Sequence, residues 1–329
     1  MTLPITSVGL LDAAQVRSAL EAAVLAPSIH NTQPWLFRCT ADGIELHADP
    51  GRALSVADAD RRGLMLSCGA ALFNLRVAVQ ALGVHPAITL LPRRDEPNLL
   101  AMVKPFGARR PDPRLVPLAA AIPRRHTNRT PFTRTRIPRS LTDDLRRAAE
   151  AEQAWLPRLD TRQLDQLREL THKAHHQQLA DPAFLREWRH WTGRDAQSQD
   201  GVPHGSGGTS PAMDGGWALR DYGGQRPPSG DSAEHDDPFV VILGSFDDTT
   251  LDRLRTGQAM QRVLLTATAA GLEASFVSQP VEIAAIRAEL RALLGGGLWP
   301  QIVLRLGHGT PASWTRRRPL ADVLLTPGT

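Results

Sequence analysis

The chain has 329 residues, of which 42% are hydrophobic and 22% charged, so it can form two average domains or one large α/β domain. Its 38 Lys and Arg residues against 34 Asp and Glu give a net charge of only +4. No compact basic run is interleaved with aromatic residues, so we expect no nucleic-acid partner. Two cysteines, Cys39 and Cys68, are too few and too plainly spaced for a disulfide framework or a zinc site.

The amino-terminal residues Met-Thr-Leu-Pro-Ile show no basic stretch followed by an apolar one. No uninterrupted apolar run approaches the roughly 18 residues of a membrane span. We therefore expect a cytoplasmic protein without a membrane partner. His172 and His176 are four residues apart on a predicted helix, but no third ligand can be placed, so we expect a solvated helix face rather than a metal site.

Two helices and four short strands are predicted in the first third of the chain. Residues 11–25 have the spacing of an amphipathic helix, with Asp12 as its N-cap. Residues 63–82 are apolar on most sides, which is typical of a central helix, and Gly83 suits its end. Short β-type runs lie between and after these helices, at residues 35–40, 44–47, 88–91 and 99–103.

A Pro/Gly/Arg-rich link at residues 104–114 is the best candidate for a boundary, which divides the chain into residues 1–110 and residues 111–329. Beyond this link the helix patterns recur. Residues 141–157 align with the first helix at an offset of 130, and residues 257–271 align with the second at an offset of 188. Each alignment alone is weak because alanine-rich helices match by chance, but their order and their helix-stop residues favour a tandem duplication.

The growth of the offset between the two alignments predicts an insertion in the second half. Residues 194–237 are dense in Gly, Ser, Pro, Asp and His and show little periodicity, so we place the insertion there. Such a segment is either disordered or a functional lid. Trp217 and Tyr222 lie in it, which favours a lid that packs on something. A β-type run at residues 239–243 and a helix at residues 252–270 follow.

A polar loop, residues 25–35, follows the first helix with the sequence Leu-Ala-Pro-Ser-Ile-His-Asn-Thr-Gln-Pro-Trp. Pro27 ends the helix because the residue before a proline is displaced from the α region. Donors and acceptors this dense suit the edge of a flat heteroaromatic ring, although an ordinary polar turn capped by a core tryptophan is the alternative for any single residue. The candidate binding residues are Pro27, Ser28, His30, Asn31 and Gln33.

The string Ala-Pro-Ser-x-x-Asn-Thr-Gln-Pro-Trp resembles the signature loop of the nitroreductase-like FMN oxidoreductases. A second stretch, the arginine motif (residues 124–132, Arg-Arg-His-Thr-Asn-Arg-Thr-Pro-Phe), resembles the segment with which that family grips the FMN phosphate. His126 and Thr127 depart from the family pattern. In the family the phosphate segment precedes the signature loop, whereas here it follows. The resemblance implies that Arg124, Arg125, His126, Thr127 and Arg129 contact FMN.

A fused pair of nitroreductase-like units explains the inverted order. The resemblance implies dimers whose flavin sites combine the phosphate segment of one subunit with the loop of the other. One such site needs the arginine motif of the second half and the polar loop of the first. The mirror site needs arginines before residue 11, and residues 1–10 contain none. We therefore expect one FMN per chain and a monomeric pseudo-dimer that needs no further subunit.

Two further stretches of the second half are expected at the same site. The basic tail segment, residues 315–319 (Thr-Arg-Arg-Arg-Pro), resembles the carboxy-terminal residues that also meet the phosphate, and arginine forks suit phosphate oxygens. A solvated surface cluster is the alternative. Residues 275–280 follow a helix stop where the family places backbone groups against the ring. The candidates are Ser275, Ser278, Gln279, Pro280, Arg316, Arg317 and Arg318.

The resemblance implies an α+β fold, with a nitroreductase-like unit duplicated in one chain and mainly antiparallel sheets wrapped by helices. It also implies two-electron reduction of nitro-compounds, quinones or similar small acceptors by NAD(P)H, with hydride passing through FMN. Residues 194–237 resemble the lid of the Acg-type branch. If Trp217 or Tyr222 covers the ring, the protein instead stores or sequesters FMN under stress. A flavin-free scaffold is the third alternative.

Overall fold

A computed structural model describes residues 5–130, 132–133, 135–204, 206, 217, 220, 239–310 and 315–326. The first half forms a four-stranded antiparallel sheet in the order β1-β2-β4-β3, packed against two helices. The elements, in chain order, are α1 (Ala13–Val24), β1 (Trp35–Cys39), β2 (Ile44–Ala48), α2 (Arg62–Ala81), β3 (Val84–Leu90) and β4 (Leu99–Ala108).

These elements form where the local sequence predicts them. The Asp12 carboxylate accepts from the Gln15 N–H at 2.8 Å, and the Gln15 side chain returns a bond to the Asp12 N–H, which completes a capping box at the start of α1. α2 is buried along most of its length, and Gly83 follows it with φ +78°, a conformation that glycine adopts without strain. Both helices thus end within one residue of their predicted limits.

The second half also contains an antiparallel sheet but carries more helices. Its elements, in chain order, are α3 (Val116–Ala121), α4 (Arg139–Glu150), α5 (Thr161–Leu179), α6 (Pro182–Trp191), β5 (Thr192–Arg194), β6 (Val202–Pro203), β7 (Phe239–Ser245), α7 (Thr250–Ala269), β8 (Glu273–Phe276), α8 (Gln279–Glu282), α9 (Ala284–Leu293) and β9 (Trp299–Gly307). The strands β7-β9-β8 form an antiparallel sheet, and Trp155 pairs with Gly244 at the β7 edge.

The central helices α2 and α7 cross in close contact between the two halves. A Cβ atom at Gly69 would lie 2.3 Å from the Leu254 carbonyl oxygen, and one at Gly257 would lie 2.2 Å from the Leu66 carbonyl oxygen. Only glycine permits backbones to approach this closely. One hydrophobic core therefore includes side chains of both helices and both main sheets.

The tail crosses back from the second half to the first. The Phe37 N–H on β1 donates to the Val323 carbonyl at 2.7 Å, and the Leu325 N–H donates to the Phe37 carbonyl at 2.8 Å. Residues 315–326 therefore lie against the first sheet, although the expected division of the chain assigns them to the second half.

One sequence expectation needs correction. The predicted link at residues 104–114 begins inside β4, which runs to Ala108, because Pro86 of β3 and Pro105 of β4 stand opposite each other at an irregular pairing rather than in a loop. The insertion at residues 194–237 stays a prediction. Between Trp155 and its partner strand β7 the described residues form α5, α6, β5 and β6, whereas β1 and β2 are joined by a tight turn.

Within the described residues, α2 is long and apolar enough, by length and composition, to cross a membrane. Most of it is buried inside the protein, the position of a core helix.

Candidate functional site

The polar loop has an unusual backbone. His30, Asn31 and Gln33 have φ angles of +48°, +56° and +51°, a region that residues other than glycine rarely adopt. The Ser28 hydroxyl accepts from the Gln33 N–H at 2.9 Å and closes the loop on itself. Backbone strain concentrated in this way is typical of functional sites, because surrounding contacts must enforce it.

His30 is enclosed by elements of the second half. Its ring meets the edge of Trp188 on α6, with centroids 5.1 Å apart and planes at 83°. Burial, together with the positive charges of Arg220 and Arg129, lowers the pKa of His30 to about 3 against the opposing effect of Glu282. The imidazole is therefore neutral at physiological pH.

Arg220 connects three helices around His30. Its guanidinium is paired with the buried Glu282 carboxylate of α8 and donates to the Gln178 side chain of α5 at 2.8 Å and to the Ser278 hydroxyl at 3.3 Å. It also lies 5.0 Å from the ring centroid of Trp188. Glu282 keeps a pKa of about 2 despite its burial, because Arg220 stabilises the carboxylate.

The basic tail segment lies along the polar loop. The Asn31 side chain donates to the Arg316 carbonyl at 3.1 Å, and the Gln33 side-chain oxygen accepts from the Arg318 N–H at 2.7 Å. The Arg317 guanidinium donates to the Thr315 hydroxyl at 2.8 Å, and burial lowers its pKa to about 10. Two segments that lie 285 residues apart in sequence are thereby joined.

The arginine motif supplies a second guanidinium, and this one is buried. Arg125 is 4% exposed, and its Nε and Nη1 atoms have no hydrogen-bond partner within the described residues. Burial, together with the charge of Arg317, lowers the pKa of Arg125 to about 9. Burial, together with the charges of both arginines, also lowers the pKa of His126 to about 4. Positive charge is thus concentrated here without a compensating carboxylate among the described side chains.

The arginine motif is held against β8. Thr127 pairs with Ala274, and the Asn128 N–H donates to the Ala274 carbonyl at 2.7 Å. The buried Ser275 follows directly on β8, and Gln279 and Pro280 are buried in α8 beyond it. These links form a circle. Hydrogen bonds join the polar loop to the tail segment, the arginine motif to β8, and α8 to Arg220, while the charge of Arg317 acts on Arg125 and that of Arg220 acts on His30.

Not every predicted site residue joins this circle with its side chain. Arg124 and Arg316 are exposed, and Arg124 donates to the Ala120 carbonyl of the preceding helix α3. Arg318 lies 3.6 Å from the Asp49 carboxylate, and Arg129 donates to the Ser206 carbonyl at 3.0 Å. Of the arginines predicted to meet a phosphate, Arg125 is the one that is buried, and the charge of Arg317 acts on it.

One of the two predicted lid aromatics, Trp217, lies within the described residues. Trp217 is 1% exposed and packs in a second core with Leu167, Ile242 and Val277, with Arg168 over its ring. This is the packing of a core tryptophan, and its predicted position over a flavin stays a prediction. Tyr222 lies outside the described residues.

The chain is similar over nearly its whole length to proteins of Mycobacterium tuberculosis. It is 36% identical to "Putative NAD(P)H nitroreductase Rv3131" over 324 residues, which cover 96% of this chain and 92% of the relative. The chain belongs to the nitroreductase-like family. A second M. tuberculosis member, "Putative NAD(P)H nitroreductase acg", is 30% identical over 94% of each chain. No family model matches the chain.

Solved structures of family members overlap with part of the chain. The FMN-dependent nitroreductase NfnB from Mycobacterium smegmatis, solved in complex with NADPH, is 17% identical and covers 64% of this chain and 99% of its own, with a TM-score of 0.40. A nitroreductase from Bacteroides fragilis with bound FMN is 15% identical, covers 64% of this chain and 96% of its own, and has a TM-score of 0.37.

Sequence reasoning recognised the family but missed three residues of the site. Arg220, Glu282 and Gln178 form a buried polar group next to His30. Arg220 stands in a low-complexity stretch, where no periodicity marks a buried position. Gln178 belongs to a helix whose polar residues otherwise suit a solvated face, and Glu282 ends a helix of four residues, so no local signal distinguishes them.

Proposed function

We propose that the chain binds one FMN, with the phosphate between Arg125 and Arg317, and uses it as an NAD(P)H-dependent oxidoreductase of nitroreductase type. The observation that carries this proposal is the buried Arg125, whose Nε and Nη1 lack partners within the described residues. An unpartnered buried guanidinium is costly, so an anion is the natural partner. Arg317 adds a second positive charge beside it.

A phosphate monoester fits this pair better than a carboxylate. It carries close to two negative charges at neutral pH, which matches two guanidiniums. Planar guanidinium groups bind phosphate oxygens through paired, charge-assisted hydrogen bonds. The pair also joins the arginine motif of the second half to a tail that lies on the first sheet, so a bound phosphate would link both halves.

When bound, FMN would supply two-electron hydride chemistry, taking hydride from NAD(P)H and passing it to a nitro-compound, quinone or similar acceptor. The polar loop and the α8 segment are the candidates to enclose its ring. His30 is neutral and surrounded by Arg220, Arg129 and Glu282. We infer that its role is to shape the enclosure rather than to deliver a proton.

A second candidate function is FMN storage with little turnover. It is favoured by the cover over the polar loop: the Gln33 side chain donates to the Gln199 carbonyl at 2.8 Å, the Asn31 side chain donates to the Gly201 carbonyl at 3.0 Å, and Trp188 closes over His30. A segment fixed in this way would keep a nicotinamide away from the ring. An electron acceptor and a preference for NADH or NADPH apply only to the first candidate function.

We further propose that the chain is a duplicated unit, with a first half of residues 1–110 and a second half of residues 111–329. The offset that aligns Gly69 with Gly257 also aligns Leu66 with Leu254, and these residues make reciprocal contacts across the α2–α7 crossing. Reciprocal contacts are the mark of a two-fold interface. The sheet orders β2-β4-β3 and β7-β9-β8 support the same proposal, as does a central helix followed by a left-handed glycine in both halves.

One experiment separates the two functions. FMN-loaded protein is mixed anaerobically with NADPH, and separately with NADH, while flavin absorbance is followed in a stopped-flow instrument. Rapid bleaching by either nucleotide is the outcome expected of a reductase. A flavin that dithionite reduces but neither nucleotide does would favour storage, and protein that retains no FMN would contradict both.

A further inference from the structure

The amide groups of Asn31 and Gln33 are already engaged by the main chain of other segments. The Asn31 side-chain amide donates to the carbonyls of Gly201 and Arg316, at 3.0 and 3.1 Å. The Gln33 side-chain amide donates to the carbonyls of Gln199 and Asn31, at 2.8 and 3.3 Å. Each primary amide has two hydrogens, so neither has one left for a ligand. Both side chains are buried.

These bonds fix the backbone on both sides of Arg317. Asn31 holds the carbonyl of the residue before it, and the Gln33 side-chain oxygen accepts from the N–H of the residue after it at 2.7 Å. The Arg318 guanidinium also donates to the Gln33 carbonyl at 3.4 Å. The tail segment therefore has its position set by two side chains of the polar loop.

The position of Arg317 needs such support. Its positive charge acts on Arg125 and helps to lower the pKa of that guanidinium, and two like charges repel each other. A tail free to move would carry Arg317 away from Arg125 and into solvent. Three hydrogen bonds that hold residues 316 and 318 oppose this movement.

We propose that Asn31 and Gln33 are positioning residues that hold Arg317 beside Arg125 and so set the affinity of the site for a phosphate monoester. The sequence instead led us to expect that they contact the edge of a flavin ring. This inference rests on the proposed FMN site and names how one part of it is built. Asn31 and Gln33 also fasten residues 199–201 by the same amides, so the inserted segment and the tail share one clamp.

The test compares FMN with riboflavin, which has the same ring but no phosphate. Both are titrated into the wild-type chain, Gln33→Ala and Asn31→Ala, with flavin fluorescence as the readout. We expect the affinity for FMN to fall about tenfold in either variant, because Arg317 then loses about one charge-assisted hydrogen bond to the phosphate. The affinity for riboflavin should stay within about twofold.

Two controls accompany the titration. Gln163→Ala removes a comparable hydrogen bond, from the Gln163 side chain to the Leu293 carbonyl, outside the candidate site. This variant should leave the ratio of FMN to riboflavin affinity unchanged. In the double variant Gln33→Ala, Arg317→Ala the loss should equal that of Arg317→Ala alone, because both changes remove the same contact.

A readout without flavin completes the experiment. Hydrogen exchange of the Arg318 amide in the flavin-free protein should be faster in Gln33→Ala than in the wild type, since its acceptor is gone. Equal losses of FMN and riboflavin affinity, or additive losses in the double variant, would overturn the positioning role. A wild-type chain that binds neither flavin would instead overturn the proposed function.

Discussion

At the scale of single residues, the polar loop shows how chemistry and strain coincide. Three of its four residues from His30 to Gln33 have left-handed backbones, and each is held by contacts from another part of the chain. Such a conformation costs free energy locally and persists only when other segments enforce it. The loop is therefore best understood together with α6, residues 199–201 and the basic tail segment.

The buried His30 should make folding stability depend on pH. Its pKa is about 3 in the folded chain against an ordinary value of 6.5, so between these values the unfolded chain binds a proton that the folded chain does not. Folding stability from this residue is complete above pH 6.5 and falls by about 1.4 kcal/mol per pH unit below it. His30→Asn keeps a residue that tolerates positive φ and removes the titration.

Urea unfolding at several pH values checks this expectation. The free energy of unfolding of His30→Asn should fall less steeply than that of the wild type between pH 6.5 and 4. The exposed His190 supplies a matched control, since His190→Gln should follow the wild-type curve. Parallel curves for the wild type and His30→Asn would show that His30 is not buried in its neutral form.

At the scale of elements, α6 docks on the first half through one carboxylate. Glu187 accepts from the N–H groups of Ser55, Val56 and Ala57, with shortest distances of 2.6, 3.1 and 2.7 Å, and from the Ser55 hydroxyl at 3.0 Å. Successive N–H groups that converge in this way form a nest for an anionic group. Leu54 and Ala57 pack against Phe184 and Trp191 beside it.

Glu187→Ala should loosen α6 without unfolding the chain. We expect a loss of about 1–2 kcal/mol, because several partly exposed hydrogen bonds to a charged group disappear. Hydrogen exchange should rise at the amides of residues 55–57 and along α6. Glu169→Ala, on the exposed face of α5, is the control. Unchanged exchange at residues 55–57 would mean that Glu187 does not anchor the helix.

The elements also show what a sequence reveals and what it leaves open. α2 was predictable because apolar residues on most sides and a glycine at the end indicate a buried central helix. β4 was cut short in the prediction because Lys104, Pro105 and Gly107 resemble a turn, whereas pairing with β3 keeps them extended. Pairing across long sequence distances leaves no local signal, and the Arg220–Glu282 contact was missed for the same reason.

At the scale of the whole molecule, the two halves meet at a crossing that admits no side chain. Gly257→Ala would place a Cβ atom 2.2 Å from the Leu66 carbonyl oxygen, so α2 and α7 must separate. We expect destabilisation by about 1–3 kcal/mol, the usual cost of overpacking, measured by urea unfolding. Gly297→Ala, at an exposed position with nothing within 4 Å of the new Cβ, should be close to neutral. Equal stability of both variants would contradict the close crossing.

The central claim is that Arg125, beside Arg317, holds the phosphate of FMN. The most direct test is a calorimetric titration of FMN into the wild-type chain, Arg125→Ala and Arg124→Ala. The two variants remove neighbouring arginines, one 4% exposed with unpartnered nitrogens and one exposed on the surface. We predict one FMN per wild-type chain, a loss of affinity of about tenfold or more for Arg125→Ala, and affinity within about threefold of wild type for Arg124→Ala. Equal affinities for the two variants, or binding of two FMN molecules per chain, would contradict the account.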